Sequence, residues 1–509
     1  MILAPNRRQL LNGSKHLFVL AFIAFFFGAC DALRPAQGQQ PAAAPKPAPA
    51  ASTAEGRYFE EIRGTKVYDP VKRQWVSVST GVKEKMDTLN WKVVQNSYQT
   101  LTNFPQHFVP QPVAEIPRPD ITPLSTSTSD FARIEKKDQY QIVAALPFLA
   151  GVAEENNPNA EGSVSRWAIN FYGGMKLAGE QLTDEGVNLY VEAFDTKADE
   201  KVMESLVRNP VFSRSDVIIG PYRRDNIRIA AEFARAGQKV LVSPYSAVSS
   251  MVGNNPNLIQ VNPSLESHCR ALMRHARRDF APEDILILSR ENPTEKICVE
   301  YLQKANLEMT GAPDALPVKE HVFATASYGG INVAPLIKGK DQVALIIPSW
   351  AEPNFIFFLL RRIVEARSEG QTVVVYGMPQ WMEFDNFEYE FFEKLNVRVS
   401  SNGYLDPLSP EVRTFRQRYF DTYGTVPDLA AFQGYDLMLY LGRMLKEYGR
   451  FFQFFLDVNP AQQLHTRYEF QAIPAPGTTA DDRLNQIARF ENTYVNILEF
   501  REFQFQLLR

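Results

Sequence analysis

From Tyr140 to Tyr376 the chain repeats one pattern, a short apolar run followed by a longer amphipathic stretch. That alternation constrains the fold more than any other feature. Gln141–Leu146, Leu189–Phe194, Asp216–Gly220 and Lys239–Ser243 read as buried strands. Between the first two, Trp167–Leu182 places Ala168, Phe171, Tyr172, Met175, Ala178 and Leu182 on one helical face. A later helix has the face Ile227, Ala230, Ala231 and Ala234, with Asp225 as its cap and Gly237 at its end. This β-α-β-α-β order calls for a parallel sheet covered by helices through right-handed crossovers. The rhythm then resumes, with strands at Asp284–Leu288, Gln342–Ile347 and Thr372–Tyr376 and helices at about 265–279, 294–307 and 353–368. The expected fold class is α/β: two lobes, each a parallel sheet flanked by helices, with ligands in a cleft at the carboxyl ends of the strands.

Upstream of Tyr140 the composition changes. Leu17–Phe27 is an apolar run of about a dozen residues behind Arg7, Arg8 and Lys15, short for a membrane span and suited to a secretory signal. Gly28-Ala29-Cys30 resembles a bacterial lipobox, with Phe27 where leucine is usual. The resemblance implies cleavage after residue 29 and lipid on Cys30; the alternative is an uncleaved anchor. Either way the remainder faces away from the cytoplasm beside a membrane. Residues 30–56, rich in Pro and Ala, read as an extended tether. Residues 57–137 read as a hairpin turning at Asp69-Pro70, then an extended arm rich in Pro, Thr and Ser.

A formal net charge of −4 over 509 residues shows no basic excess, so no nucleic-acid partner is expected. No later segment offers about 18 uninterrupted apolar residues. Besides Cys30 the chain has only Cys269 and Cys298, which form either one disulfide or two separate buried thiols. There is no His-Glu-x-x-His, no Gly-x-Ser-x-Gly and no phosphate-binding glycine loop, so neither an enzyme nor a cofactor is expected. His268 and His275 fall on one helical face about 10 Å apart, too far to share a metal. With Arg270, Arg274, Arg277 and Arg278 they suggest a solvated basic surface or a dock for an acidic partner. Phe384, Phe387, Phe391 and Phe392 fit a core-facing helical stripe, and Phe451–Phe455 is either core or an interaction surface.

Val217–Pro221, Gly237–Pro244, Phe415–Pro427 and Gln433-Gly434-Tyr435-Asp436 together resemble the type I periplasmic-binding proteins, the fold of leucine/isoleucine/valine-binding proteins. The resemblance implies lobe one at 138–262 with a return at 401–450, and lobe two at 263–400 with a C-terminal segment at 451–509. Arg467–Gln471 and Phe490–Leu498 are similar to the ends of Bacteroidetes envelope lipoproteins with this fold. The family's binding segments fall here on Arg223 and Arg224, on Tyr245, Ser246 and Ser249, and in lobe two on Thr294, Trp350 and Trp381. Arginine forks suit carboxylate or phosphate, and Tyr245, Trp350 and Trp381 suit a ring. The same arginines can instead make surface ion pairs, and the tryptophans can be core. Asp195 either meets a ligand amine or caps the next helix with Thr196. The resemblance implies a lipid-anchored binding protein of the cell envelope, facing the periplasm, that captures a small polar ligand such as an amino acid or peptide. Its partner would be an ABC-type permease; the alternative is an envelope scaffold or regulator of cell-wall synthesis that works through an envelope protein.

Overall fold

A computed structural model describes residues 66–69, 74–77, 134–151, 163–245, 254–310, 317–324, 330–384, 388–475 and 487–508. Cys30, the tether, most of the arm, Ser246, Ser249 and Phe387 lie outside the described residues. The chain divides into a unit ending at Phe108 and a unit starting at Val109. In the first, β1 (Lys66–Asp69) and β2 (Gln74–Ser77) pair antiparallel, Val67 opposite Val76.

The second unit holds two seven-stranded sheets. The first begins with β3 (Tyr140–Leu146), β4 (Leu189–Asp195), β5 (Val217–Ile219), β6 (Val240–Ser243) and β7 (Leu258–Gln260). The second begins with β8 (Ile285–Arg290), β9 (Lys319–Phe323), β10 (Gln342–Ile346), β11 (Thr372–Gly377) and β12 (Arg398–Ser401). After a small ribbon of β13 (Ala461–Gln462) and β14 (Arg467–Tyr468), β15 (Phe470–Pro474) and β16 (Ile487–Asn492) return to the first sheet. Finally β17 (Asn496–Arg501) and β18 (Gln504–Leu507) complete the second. The orders are 15-16-7-6-5-3-4 and 18-17-12-11-10-8-9. Pairing is parallel except at the sheet margins, where β15 with β16, β12 with β17 and β17 with β18 run antiparallel. The chain thus passes between lobes three times, at 261–264, 402–409 and 493–495.

The third crossing corrects one expected boundary. Of the segment 451–509, only the part from Asn496 onward forms strands of lobe two. Phe451, Phe452 and Phe454 pack into the lobe-one core with Tyr468, Phe470 and Phe490, and Phe490 lies beside Ile259 in the lobe-one sheet. Burying these rings holds the segment in lobe one. Phe391 and Phe392 join the lobe-two core, although their helix begins only at Tyr389.

In lobe one, helix Val164–Asp184 meets helix Leu429–Tyr448 backbone to backbone at two glycines. A Cβ on Gly174 would lie 1.9 Å from the Ala431 carbonyl oxygen, and one on Gly434 the same distance from that of Phe171. In lobe two, Cys269 and Cys298 are buried free thiols on helices Leu265–Asp279 and Pro293–Thr310. A hydrogen bond with Cys298, and then burial, push the Cys269 thiol well above the ordinary range. Among the described residues, no helix is long and apolar enough to cross a membrane.

Helix Leu265–Asp279 keeps exposed Arg274 and Arg278 on a solvated basic side, as its composition suggested, but its histidines turn inward. His268 is buried, and burial holds its pKa down at about 4. Burial, and then the charges of Arg278 and Arg398, hold His275 at about 3. Arg270 pairs with Glu266 and Glu308, Arg277 donates to Asn306, and Arg278 pairs with Asp279. Both histidines are therefore neutral when folded, while unfolded histidine titrates near 6.5. Below pH 6.5 the unfolded chain binds more protons, so stability is full above that pH and falls toward pH 4. The expected slope is up to about 1.4 kcal/mol per pH unit for each histidine. Thermal unfolding across pH 7.5–4.5 checks this: His268→Asn with His275→Phe should flatten the fall, and an unchanged slope would assign it to other groups.

Candidate functional site

Each sheet has a point where successive connections leave in opposite directions, the place where open α/β sheets have a ligand crevice beyond the carboxyl ends of their strands. In lobe one it lies between β3 and β5, and in lobe two between β8 and β10. The loops at these points are 147–151 and 220–223, and 291–292 and 347–352. Gly220 presses the β5 loop onto the end of β3. Its φ is +101°, and a Cβ there would meet the Ala145 carbonyl oxygen at 2.2 Å.

The lobe-one loop carries an aromatic cluster. Tyr222 stacks on Tyr245 with ring centroids 3.9 Å apart, and Trp167 lies against both at 5.2 and 5.4 Å. Burial, and then its hydrogen bond with Tyr245, raise the Tyr222 hydroxyl pKa, so the phenol stays neutral. Tyr245 remains 44% exposed and presents ring surface to solvent. Arg223 occupies the N-cap position of helix Arg224–Ala236 and makes no side-chain cap, and Arg224 follows at the first helical position. Both are exposed. Asp225 is thus inside the first turn and not the cap; there its charge complements the helix dipole.

Asp195 is committed to the backbone. Its carboxylate accepts the N–H groups of Leu149 at 3.1 Å, Ala150 at 2.8 Å and Lys197 at 2.8 Å. The next helix, Glu200–Leu206, is capped by Asp199, which accepts from Val202 N–H. Asp195 therefore ties the loop after β3 to the loop after β4, and the cap expected of it is corrected.

In lobe two, Thr294 is exposed in the first turn of its helix and its N–H donates to Asn292 Oδ1 at 2.8 Å. Trp350 is half-buried against the lobe-two core. Trp381 departs from expectation: it is 1% exposed, its indole N–H donates to the Ser349 carbonyl at 2.8 Å, and its ring fills the space beside Gly377. A ring held that way is core and cannot stack on a ligand. Residue patterning missed Arg290 and Glu295, a buried ion pair at the lobe-two crevice. Glu295 accepts Arg290 Nε at 2.7 Å and its backbone N–H at 2.8 Å, while the guanidinium lies 5.0 Å from the Phe355 ring centroid and 3.8 Å from Glu352. The available signal was a charge ending the otherwise apolar run Ile285–Ser289. Among the described residues, no cluster of three potential metal ligands occurs.

The crossings are fastened by polar side chains. Asn402 donates to Asn262 Oδ1 at 3.2 Å, and Asn262 donates to the Tyr245 carbonyl at 2.7 Å, linking two crossings to the aromatic cluster. Buried Glu491 of β16 accepts Ser264 N–H at 2.9 Å and the Ser267 hydroxyl at 2.8 Å, at the start of helix Leu265–Asp279. Arg489 completes a buried pair with it.

No protein-family model and no curated protein matches the chain. Solved structures do. A candidate branched-chain amino acid ABC transporter from Rhodospirillum rubrum is 14% identical, with a TM-score of 0.52 over 73% of this chain and 99% of that one. An ABC transporter substrate-binding protein from Desulfitobacterium hafniense, solved in complex with Leu, is 15% identical, with a TM-score of 0.46 over 73% and 100%. Full-length LpoA from Haemophilus influenzae is 12% identical, with a TM-score of 0.48 over 74% and 60%. The first of these and the sheet orders agree on architecture: the chain has the two-lobed fold of the type I periplasmic-binding proteins.

Proposed function

We propose that this chain is a non-catalytic binding protein of the cell envelope that captures a small polar ligand between its lobes, with lobe closure as its output. In this reading it is held at a membrane through lipid on Cys30, faces the periplasm and delivers its ligand to an ABC-type permease. One observation carries the reading: exposed Arg223 and Arg224 directly follow Tyr222, whose ring stacks on that of part-exposed Tyr245 at the lobe-one loop. Guanidinium beside an aromatic face suits a ligand with a carboxylate and an apolar or ring portion, such as an amino acid or short peptide. Thr294 and Trp350 complete the site from lobe two.

A ligand that binds only the folded state, at about 100 times its Kd, adds about 2.7 kcal/mol of stability. Thermal unfolding against amino acids, short peptides, sugars and muropeptides should therefore give a clear rise for one class. Arg224→Ala and Tyr245→Ala should abolish it. A second reading, an envelope scaffold or regulator of cell-wall synthesis, is favoured by the way Trp167, Tyr222 and Tyr245 pack on one another at the lobe-one crevice and by the commitment of Asp195 to backbone. A flat response across the whole panel would select that reading.

A further inference from the structure

Beside the second and third crossings lies a cavity of about 1230 Å³, and none of the loops 147–151, 220–223, 291–292 and 347–352 lines it. One wall comes from lobe one, with His465 and helix Leu429–Tyr448, and the other from lobe two, with the last strand, β18. The sheets end at β4 and β15 in lobe one and at β9 and β18 in lobe two. Of these four strands only β18 lines the cavity.

The ladder shows what β18 offers there. Leu508 N–H donates to the Ile497 carbonyl at 3.0 Å, and the register sets Gln506 opposite Glu499 and Gln504 opposite Arg501. Hydrogen-bonded pairs alternate with non-bonded ones in an antiparallel ladder, so Leu508, Gln506 and Gln504 turn their backbone groups toward β17. Phe505 and Leu507 turn theirs away. Phe500, opposite Phe505, obeys the same alternation: its N–H donates at 2.8 Å to the Val397 carbonyl on its other side. No strand lies beyond β18, and among the described residues the N–H and C=O groups of Phe505 and Leu507 have no partner. Gln506, Leu507 and Leu508 all line the cavity although consecutive side chains point to opposite faces, so the cavity runs along the strand's outer edge.

The lobe-one wall carries an open acceptor. His465 is 5% exposed, and its Nδ1 is held by Asp436 Oδ2, which also accepts the His465 backbone N–H at 2.9 Å. With Nδ1 donating to the carboxylate, the neutral ring presents Nε2 as an acceptor. Nε2 has no partner among the described residues, and it is not sealed from water as Asp436 Oδ1 is.

We infer that this cavity binds a short extended peptide, which adds to β18 as a further strand and donates an N–H to His465 Nε2. An open strand edge repeats a donor and an acceptor at every second residue, about 6.5–7 Å apart, and an extended backbone matches both at that spacing. Exposed Leu408 and Leu507 at the rim offer apolar contact to alternate side chains. The volume exceeds the roughly 300–1,000 Å³ usual for small-molecule sites, which suits several linked residues better than one.

Titration calorimetry of the full chain with pentaalanine, Ala-Leu-Ala-Leu-Ala and Ala-Lys-Ala-Lys-Ala tests this, because the three vary side chains on one backbone. At least one should bind one-to-one. The fully N-methylated analogue of the tightest binder lacks the ladder donors and should bind tenfold or more weakly. Leu507→Pro should weaken binding as much: it removes an outward N–H that β17 does not use, so the strand keeps its own ladder. His465→Asn keeps a donor toward Asp436, removes Nε2 and should weaken binding at least threefold. Arg224→Ala should leave binding unchanged. Hydrogen exchange at the Phe505 and Leu507 amides should slow when the peptide is bound. Failure of all three peptides to bind, parental affinity in Leu507→Pro, undiminished affinity of the N-methylated analogue, or loss of binding in Arg224→Ala would each overturn the inference. Parental affinity in His465→Asn would overturn the part given to the imidazole. A peptide-induced thermal shift abolished by Arg224→Ala belongs to the crevice and one abolished by Leu507→Pro belongs here, so the two proposals fail separately.

Discussion

Gly434→Ala is expected to destabilise lobe one by about 3 kcal/mol, toward the upper end of what overpacking costs in a filled interior. The added methyl would sit 1.9 Å from the Phe171 carbonyl oxygen and 2.7 Å from its carbon, both backbone atoms that cannot rotate away. Helices Val164–Asp184 and Leu429–Tyr448 must therefore separate along a line where Phe171, Met175, Ala178, Leu437 and Leu441 are buried. Gly174→Ala, on the facing helix, meets the Ala431 carbonyl and should cost about as much. Gly179→Ala is the control. It stands in the same helix as Gly174 with nothing within 4 Å of its added methyl. Alanine is the better helix former, so this change should stabilise by about 0.5–1 kcal/mol. Denaturant unfolding of the three variants reads the result directly, and the first two should also lower Tm by roughly 5–10 °C. Equal, small effects for all three would mean that the helices do not approach through their glycines.

The same glycines show how far sequence reading went. The segment Gln433–Asp436 carried the family resemblance as a pattern of letters; the reason Gly434 belongs there is a backbone approach that only the packed pair of helices reveals. Strands written in valine, isoleucine and leucine, such as Val240–Ser243 and Thr372–Gly377, were legible because a strand covered on both faces is apolar throughout. Lys319–Phe323 was not, since it is the edge of its sheet and leaves lysine, glutamate and valine exposed, with a histidine between them. Ile487–Asn492 was misplaced for the opposite reason. It is wholly buried, but Arg489 and Glu491 neutralise each other inside the strand and make a core segment look like surface. At the site, it was the family resemblance that pointed to Arg223, Arg224 and Thr294, which stand at the starts of helices Arg224–Ala236 and Pro293–Thr310. Residue patterning alone had no means to choose them. It could not show that the Trp381 ring folds beneath its own loop, because that depends on space beside Gly377, a neighbour no periodicity encodes.

Glu491→Gln tests the role of that hidden pair at the lobe crossing and is expected to cost about 3–5 kcal/mol. The amide oxygen can still accept from Ser264 N–H and from the Ser267 hydroxyl, so the start of helix Leu265–Asp279 keeps its acceptor. What is lost is the negative charge beside Arg489, whose side chain is 10% exposed. A guanidinium that far from water without its carboxylate carries a desolvation penalty that neutral hydrogen bonds offset only in part. Replacing both residues, Arg489→Met with Glu491→Leu, removes the buried charge altogether and should recover most of the loss, apart from the cost of the unmet Ser264 N–H. The non-additivity of this pair, measured by a double-mutant cycle in denaturant, should exceed 2 kcal/mol. Hydrogen exchange supplies the second readout. Because Glu491 belongs to lobe one and Ser264 and Ser267 begin lobe two, Glu491→Ala should speed amide exchange at 264–268 more than in β10 or β11, at the centre of lobe two. Additive single-variant costs, or uniform loss of protection across both lobes, would make Arg489 and Glu491 ordinary core residues and would leave the crossing held by its backbone alone.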